Sequence, residues 1–171
     1  VLISQATPRG GIISGTSSVM ALDGWNWEDA TISLDDGIHL NWPSSIQRGG
    51  WSAEPAPKKR NEQYNERTKE IYDFFLLAKA YSKRKEPEEK DLRLEAMRQC
   101  FSGDKRVYIH ADELQALVDI LEFVRELDIK FPVIVGGYDA HLITRQLKDS
   151  KIPVMIVRPH SLPENEEDAI D

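Results

Sequence analysis

The sequence predicts an α/β fold built from parallel strand–helix units, and the strongest indication lies in residues 105–158. Two short apolar runs, 107–109 and 133–135, are each followed by a helix-patterned segment, and a third run occupies 154–157. Strands that alternate with helices imply right-handed crossovers, which place the strands side by side in a parallel sheet covered by helices. The 171 residues can bury one sizeable core, so we expect a single domain over 1–171.

The first third of the chain, residues 1–57, is a loop-rich region in which we expect two strands. Residues 1–4 have the composition of a short strand, and residues 38–42 alternate between apolar and polar side chains before a proline. Residues 8–18 are rich in glycine and serine, which predicts a loop. Glycine and proline within 49–57 predict a flexible connection to the next region.

Residues 60–103 predict a pair of helices. The first is expected over about 60–83, and a charged break that contains Pro87 separates it from a shorter helix ended by Gly103. Apolar residues of the first helix recur three and four positions apart, which is the spacing of one buried face. These residues are Ile71, Phe74, Phe75, Ala78 and Tyr81.

The last region, 105–158, has the order strand, helix, strand, helix, strand. Asp112 and Asp139 each stand directly before a helix-patterned segment, where an aspartate can cap the first amide groups. The tail 159–171 has five acidic residues among its last eight, and we expect it to be frayed. An unbroken apolar stripe marks the longer of these two helices: Leu114, Leu117, Val118, Leu121, Val124 and Leu127.

The composition excludes several classes of partner. A formal charge of −7 argues against nucleic acid and against anionic membrane surfaces, because both require a basic face. No apolar stretch approaches the roughly 20 residues that span a bilayer, so we expect a soluble chain. No targeting segment is visible, and the sequence does not indicate a cellular compartment. The chain begins at Val1 without a methionine, which suits processing or a piece of a longer protein.

The single cysteine, Cys100, permits no internal disulfide and excludes a thiolate-rich zinc site. Among the four histidines, only His110 directly follows a predicted strand. Open parallel sheets and barrels build their sites at the carboxyl ends of strands, so His110 is the position where chemistry is expected. On the residues alone, a hydrogen-bonded structural histidine remains the favoured alternative, because one imidazole does not hold a metal.

Two glycine-rich segments resemble phosphate-binding motifs only superficially. Gly15 is followed by Thr16, where a phosphate-binding loop requires lysine. Gly136 and Gly137 lie between a strand and a helix but lack the third glycine of a dinucleotide fingerprint. We interpret this pair as a tight turn that takes the backbone out of the strand.

Four segments, in this order, resemble the middle of an amidohydrolase of the imidazolonepropionase-like branch: Thr7 to Gly15, Val107 to Asp112, Val133 to Ala140, and Lys151 to Met155. Members of that family fold as a metal-bound barrel of eight strand–helix units, which needs about 250 residues. The resemblance therefore implies a partial (β/α)8 TIM barrel of the metal-dependent hydrolase type, an internal fragment from near the second strand to the seventh.

The resemblance also implies a set of site residues. His110 matches the histidine ligand of the family's fifth strand, and His39 is the candidate nearest the bridging ligand of the fourth. Gly136 and Gly137 stand where many members carry a second histidine, and with Tyr138 they are the candidates for substrate binding. Further candidates come from the segment after His110: Asp112 for proton transfer, with helix capping as its favoured role, and Glu113 as a supporting group.

The activity implied by the resemblance is hydrolysis of a C–N bond, often in a cyclic amide, by a metal-activated water. The cofactor would be a divalent metal, with zinc preferred, in the parent protein; whether this chain holds any stays open. The partners would be a small-molecule substrate and a second copy of the chain, and the isolated chain is expected to be inactive. Two alternatives remain: a noncatalytic α/β binding module that has lost the metal, and a flavodoxin-like domain with an anion site at 136–140.

Overall fold

The computed structural model describes residues 2–47, 59–84 and 89–157. Strands dominate the first third, which also contains one short helix that the sequence did not predict, and strands and helices alternate after residue 105 as predicted. The strands are β1 (Ile3–Ala6), β2 (Ile13–Ala21), β3 (Thr31–Asn41), β4 (Ile46–Gln47), β5 (Lys59–Arg60), β6 (Arg106–Ala111), β7 (Pro132–Gly136) and β8 (Val154–Met155). The helices are α1 (Trp27–Ala30), α2 (Tyr64–Ser82), α3 (Leu92–Ser102), α4 (Leu114–Leu127), α5 (Thr144–Ser150) and a 3-10 helix at Tyr138–Ile143.

Six of these strands form one curled, half-barrel sheet in the order β1-β2-β3-β6-β7-β8. The pairs β1/β2 and β2/β3 are antiparallel, whereas β3, β6, β7 and β8 run parallel. The predicted parallel strand–helix units are therefore confirmed, with an antiparallel extension on one side. Strands β4 and β5 form a separate two-stranded hairpin.

The loop prediction for residues 8–18 is wrong over its second half, because β2 begins at Ile13. The segment lacks the apolar alternation of a strand, yet it is paired on both sides, by β1 and by β3. Backbone pairing in a sheet overrides weak strand propensity of this kind. For the same reason β3 begins at Thr31, seven residues before the predicted start. The predicted connection at 49–57 and the tail 159–171 lie outside the described residues.

The predicted helices agree with the structure to within a few residues. Helix α2 buries Ile71, Phe75, Ala78 and Tyr81 on one face, as its spacing predicts. Helix α3 ends at Gly103, whose backbone is left-handed with φ 93° and whose amide bonds to the Gln99 carbonyl.

The main core lies between the helices and one face of the sheet. Phe75 and Phe123 are fully buried at its centre, with ring centroids 5.0 Å apart. Trp42 packs edge-on against Phe123 and donates its indole N–H to the Tyr64 hydroxyl at 3.1 Å. Cys100 is buried here, which raises the pKa of its thiol to about 12 and makes the thiol unreactive. No helix in the described part of the chain is long and apolar enough to cross a membrane.

Side chains alternate along each strand, so the opposite face of the sheet carries a different set of residues. This concave face holds His39, Tyr108, Val133 and Val135, all of them buried. His110 follows Tyr108 by two positions and therefore lies on the same face, nearer the carboxyl end of β6. The alternation thus separates an apolar core on one side from a partly polar surface on the other.

Candidate functional site

A cleft of about 630 Å³ opens at the carboxyl ends of the parallel strands β3, β6 and β7. This is the edge at which parallel α/β sheets build their binding sites. His110 and Asp112 line the cleft, as does Gly136, whereas Gly137 and Tyr138 are not among its lining residues. Further lining residues come from the end of β3 and the segment that follows it: Asn41, Trp42, Pro43, Ser44 and Ile46.

His39 and His110 are brought together by the pairing of β3 with β6. The register aligns Asn41 with His110 and His39 with Tyr108, so the two histidines occupy diagonal positions on the concave face. His39 Nδ1 and His110 Nε2 lie 2.8 Å apart, so one imidazole donates a hydrogen bond to the other. His39 is 1% exposed, and its Nε2 has no hydrogen-bond partner within the described residues.

Burial favours the neutral form of both imidazoles. The pKa of His39 is lowered to about 4, first by burial and then by the neighbouring His110, against the opposing charge of Asp36. Burial also lowers the pKa of His110, against the opposing charge of Asp112. Neutral imidazole is the form that binds metals, so the electrostatics of this pair suit a ligand role.

A polar network contacts the histidine pair on the side away from the cleft. Tyr108 stacks on His39 with ring centroids 4.7 Å apart, and its hydroxyl donates to Asp36 at 2.5 Å. Asp36 also forms an ion pair with Arg106. Gly37 makes this stack possible, because a Cβ at that position would lie 2.5 Å from the Tyr108 ring.

The predicted capping roles of Asp112 and Asp139 are wrong. The Leu114 amide at the start of α4 donates to Asp139 Oδ2 at 2.8 Å, and Asp112 Oδ1 accepts from the Tyr138 amide at 3.4 Å. Each aspartate therefore contacts the beginning of the other's helix. Strand register places the ends of β6 and β7 side by side, and sequence position alone does not reveal this exchange.

Gly136 and Gly137 both have left-handed backbones, with φ 97° and 68°. A Cβ at Gly136 would overlap Asp112 Oδ1, so only glycine admits the carboxylate here. The following amide groups bond within the chain: Gly137 N–H to the Ala111 carbonyl at 2.7 Å and Asp139 N–H to the Asp112 carbonyl at 2.9 Å. These bonds occupy the amides that a flavodoxin-like anion site would need.

Four polar residues around the histidine pair and the cleft were not singled out from the sequence: Asp36, Asn41, Ser44 and Ser45. Asn41 Nδ2 donates to the Gly11 carbonyl at 2.7 Å and to Ser14 Oγ at 2.9 Å. Because both amide hydrogens are used, Asn41 retains only its oxygen as an acceptor. The sequence feature that could have identified Asn41 is its position next to the end of the predicted strand 38–42, where site residues are expected.

The described residues fit a metal only in part. One nitrogen of His39 lies close to one nitrogen of His110, so the two imidazoles could share a metal. The described residues contain no group of three histidine, cysteine, aspartate or glutamate side chains that could hold a metal. Zinc sites use at least three protein ligands. The histidine pair can therefore supply part of a metal site, and completion would require ligands from elsewhere.

The fold and the cleft define a class of protein: a mixed α/β protein whose curled half-barrel sheet carries a histidine-containing site at the carboxyl ends of its parallel strands. The crystal structure of an amidohydrolase from Thermotoga maritima MSB8 has a similar fold, with a TM-score of 0.74 at 19% sequence identity. The similarity covers 98% of this chain and 45% of that chain, so the present chain spans less than half the length of this structural neighbour.

No protein-family model matches this sequence, and no curated protein matches it. The structural similarity supports the predicted amidohydrolase type of fold. At 19% identity it bears on the fold alone, so the imidazolonepropionase-like branch, the metal and the site roles stay predictions.

Proposed function

We propose that this chain is the central part of an amidohydrolase-type hydrolase whose parent protein hydrolyses C–N bonds of the cyclic amide kind. The observation that carries the proposal is the contact between His39 and His110, two neutral imidazoles on adjacent parallel strands, with His110 lining the cleft. The similar fold of a structurally characterised amidohydrolase supports it.

His39 Nδ1 and His110 Nε2 would supply two nitrogen ligands to a divalent metal, with zinc preferred, once the proton of their mutual hydrogen bond moves to the other nitrogen of its ring; segments outside this chain would supply the other ligands. Such a metal, when bound, lowers the pKa of water toward neutrality and polarises a substrate carbonyl. With two ligands the site is incomplete, so the isolated chain is expected to be inactive.

Asp112 is the candidate for proton transfer in this site. It lines the cleft with His110, and its charge partly opposes the burial that lowers the pKa of that imidazole. Its Oδ1 accepts from Tyr138, and Oδ2 makes no hydrogen bond within the described residues. Oδ2 can therefore accept a proton from a reacting group in the cleft and later return it.

The chain's remaining cleft groups would orient the substrate. Asn41 lies beside His110 in the sheet register and presents an amide oxygen, which accepts from an N–H or O–H group. Gly136 leaves space at the end of β7, and it is the member of the predicted substrate-binding set that reaches the cleft. The N–H group of a cyclic amide can donate a hydrogen bond to the amide oxygen of Asn41.

A noncatalytic binding module is the second candidate. The incomplete ligand set among the described residues favours it, and so does Gly136, where the contact with Asp112 leaves no room for a metal-binding side chain. This reading keeps the cleft as a ligand site and removes the hydrolytic step.

Metal binding by the parent protein, which would carry the remaining ligands, separates the two candidates. Isothermal titration with Zn²⁺, supported by elemental analysis, is expected to show one zinc at this site, lost in His110→Ala. His141→Ala is the matched control, because His141 is an exposed histidine on the 3-10 helix, outside the cleft lining. Equal zinc binding by the wild type and both variants, with the fold verified by circular dichroism, would favour the noncatalytic module.

The hydrolytic step is tested on the parent protein. Release of the ring-opened acid from a cyclic amide such as hydantoin or dihydrouracil is expected with bound zinc, and Asp112→Asn should reduce kcat by about 10²-fold or more. Zinc binding without turnover of any cyclic amide would retain the metal site and reject the proposed reaction.

A further inference from the structure

Of the described acidic side chains that line the cleft, Glu113 accepts the largest number of hydrogen bonds. The Ser44 hydroxyl donates to Oε1, while Oε2 accepts from the Ser45 amide at 2.8 Å and from the Ser45 hydroxyl at 2.6 Å. These partners lie 68 and 69 positions away in the sequence. The carboxylate therefore connects two distant segments that meet only in the folded protein.

Glu113 does not use its carboxylate to cap its own helix. It occupies the N-cap position of α4, yet no side-chain cap is formed there, and the Leu114 amide bonds instead to Asp139. A negative charge at a helix N-terminus is favourable in any case, because the helix dipole is positive at that end. Both carboxylate oxygens are thus available to the turn after β3.

That turn forms one wall of the cleft. Ser44 lines the cleft together with its neighbours Pro43 and Ile46, and Glu113 lines it together with His110 from the segment after β6. Asn61 fixes the other side of the turn, through Nδ2 to the Ser44 carbonyl at 2.8 Å and through its own amide to the Ser45 carbonyl at 2.9 Å.

We propose that Glu113 is a positioning residue that fixes the Ser44–Ser45 turn against the start of α4 and so sets the width of the cleft. Hydrogen bonds to a charged group are stronger than those between neutral groups, and this carboxylate accepts three of them from one short turn. The inference rests on the proposed function only in taking this cleft as the binding site.

Amide hydrogen exchange of the metal-free chain tests this role. In Glu113→Ala, the Ser45 amide loses its acceptor, and its exchange is expected to accelerate by about tenfold or more, while amides of β6 keep their protection. Glu113→Gln should remain within about threefold of the wild type, because its amide oxygen accepts from the Ser45 N–H and its amide nitrogen can donate to the serine hydroxyls.

Glu122→Ala is the matched control. Glu122 is an exposed glutamate on the same helix, paired only loosely with Arg125 at 3.6 Å, and its removal should leave exchange at Ser45 unchanged. If Glu113→Ala fails to fold, Ser45→Ala tests the contact from the turn: it keeps the backbone amide, removes the hydroxyl bond to Oε2, and is expected to accelerate exchange of the amide at position 45 by a smaller factor.

Unchanged exchange at position 45 in both Glu113→Ala and Ser45→Ala would overturn the proposal. So would an acceleration spread evenly over the chain, which would indicate a general effect on stability. A Glu113→Gln variant as fast as Glu113→Ala would also overturn it, because glutamine keeps the hydrogen bonds that are proposed to hold the turn. The measurement uses neither metal nor substrate, so its failure is distinguishable from failure of the proposed hydrolase function.

Discussion

Gly136 shows how closely the cleft depends on a single residue. Its backbone is left-handed with φ 97°, and a Cβ there would overlap Asp112 Oδ1. Gly10 has nearly the same backbone conformation, φ 93°, but a Cβ added at Gly10 would meet no atom within 4 Å. The two glycines thus share the conformational requirement and differ in the space around them.

Substitution of these two glycines separates conformational strain from steric conflict. Both Gly136→Ala and Gly10→Ala should destabilise the protein through the left-handed backbone, by about 1–2 kcal/mol. Gly136→Ala should cost about 1 kcal/mol more, because Asp112 must move and lose its bond to Tyr138. Urea unfolding measures both values, and equal losses for the two variants would contradict the close contact at Gly136.

At the scale of elements, two successive strand–helix units are joined because an aspartate before or within each helix bonds to the start of the other helix. Asp139 caps α4, and Asp112 accepts from the start of the 3-10 helix, so two successive units are fixed to each other at the cleft. The close approach of β6 and β7, which pair over five residues of each strand, makes this exchange possible.

Removal of the α4 cap is expected to weaken this connection. Asp139→Ala leaves the Leu114 amide without its side-chain acceptor and should lower the free energy of unfolding by about 1 kcal/mol, whereas Asp139→Asn should retain most of it. Asp149→Ala on α5 is the control, since that carboxylate is 74% exposed and its change should stay within about 0.5 kcal/mol. An equal effect of the alanine variants in urea unfolding would argue against a specific cap.

At the scale of the whole molecule, the sheet has two outer strands, β1 and β8, within the described part of the chain. Apolar side chains are exposed at both: Leu2 and Ile3 near one, and Met155 and Ile156 near the other, with Ile156 76% exposed. Unpaired strand edges beside apolar surface favour pairing with another chain.

We therefore expect the isolated chain to self-associate through these edges. Light scattering should give a mass above 19.5 kDa that rises with concentration, and Ile156→Lys should shift the chain toward the monomer by placing a charge at the β8 edge. Leu92→Lys is the control, because Leu92 is 80% exposed on α3, away from both edges. A clean 19.5 kDa monomer for the wild type would contradict the prediction.

The sequence by itself determined the features that depend on local spacing. The apolar stripe of α2, the stop at Gly103 and the strand that ends near His110 all follow from periodicity or from the preferences of single residues. The order of these elements also predicted parallel units, since a helix between two strands leaves few other connections.

Only the tertiary structure decided which of these features meet. The contact between His39 and His110 spans 71 positions and depends on the register of β3 against β6. The exchanged contacts of Asp112 and Asp139 and the bonds of Glu113 to Ser45 likewise follow from strand ends that lie side by side. β2 was missed for the same reason, because its pairing on both sides is a property of the sheet. Local patterns specify elements, whereas site geometry is set by pairings between distant segments.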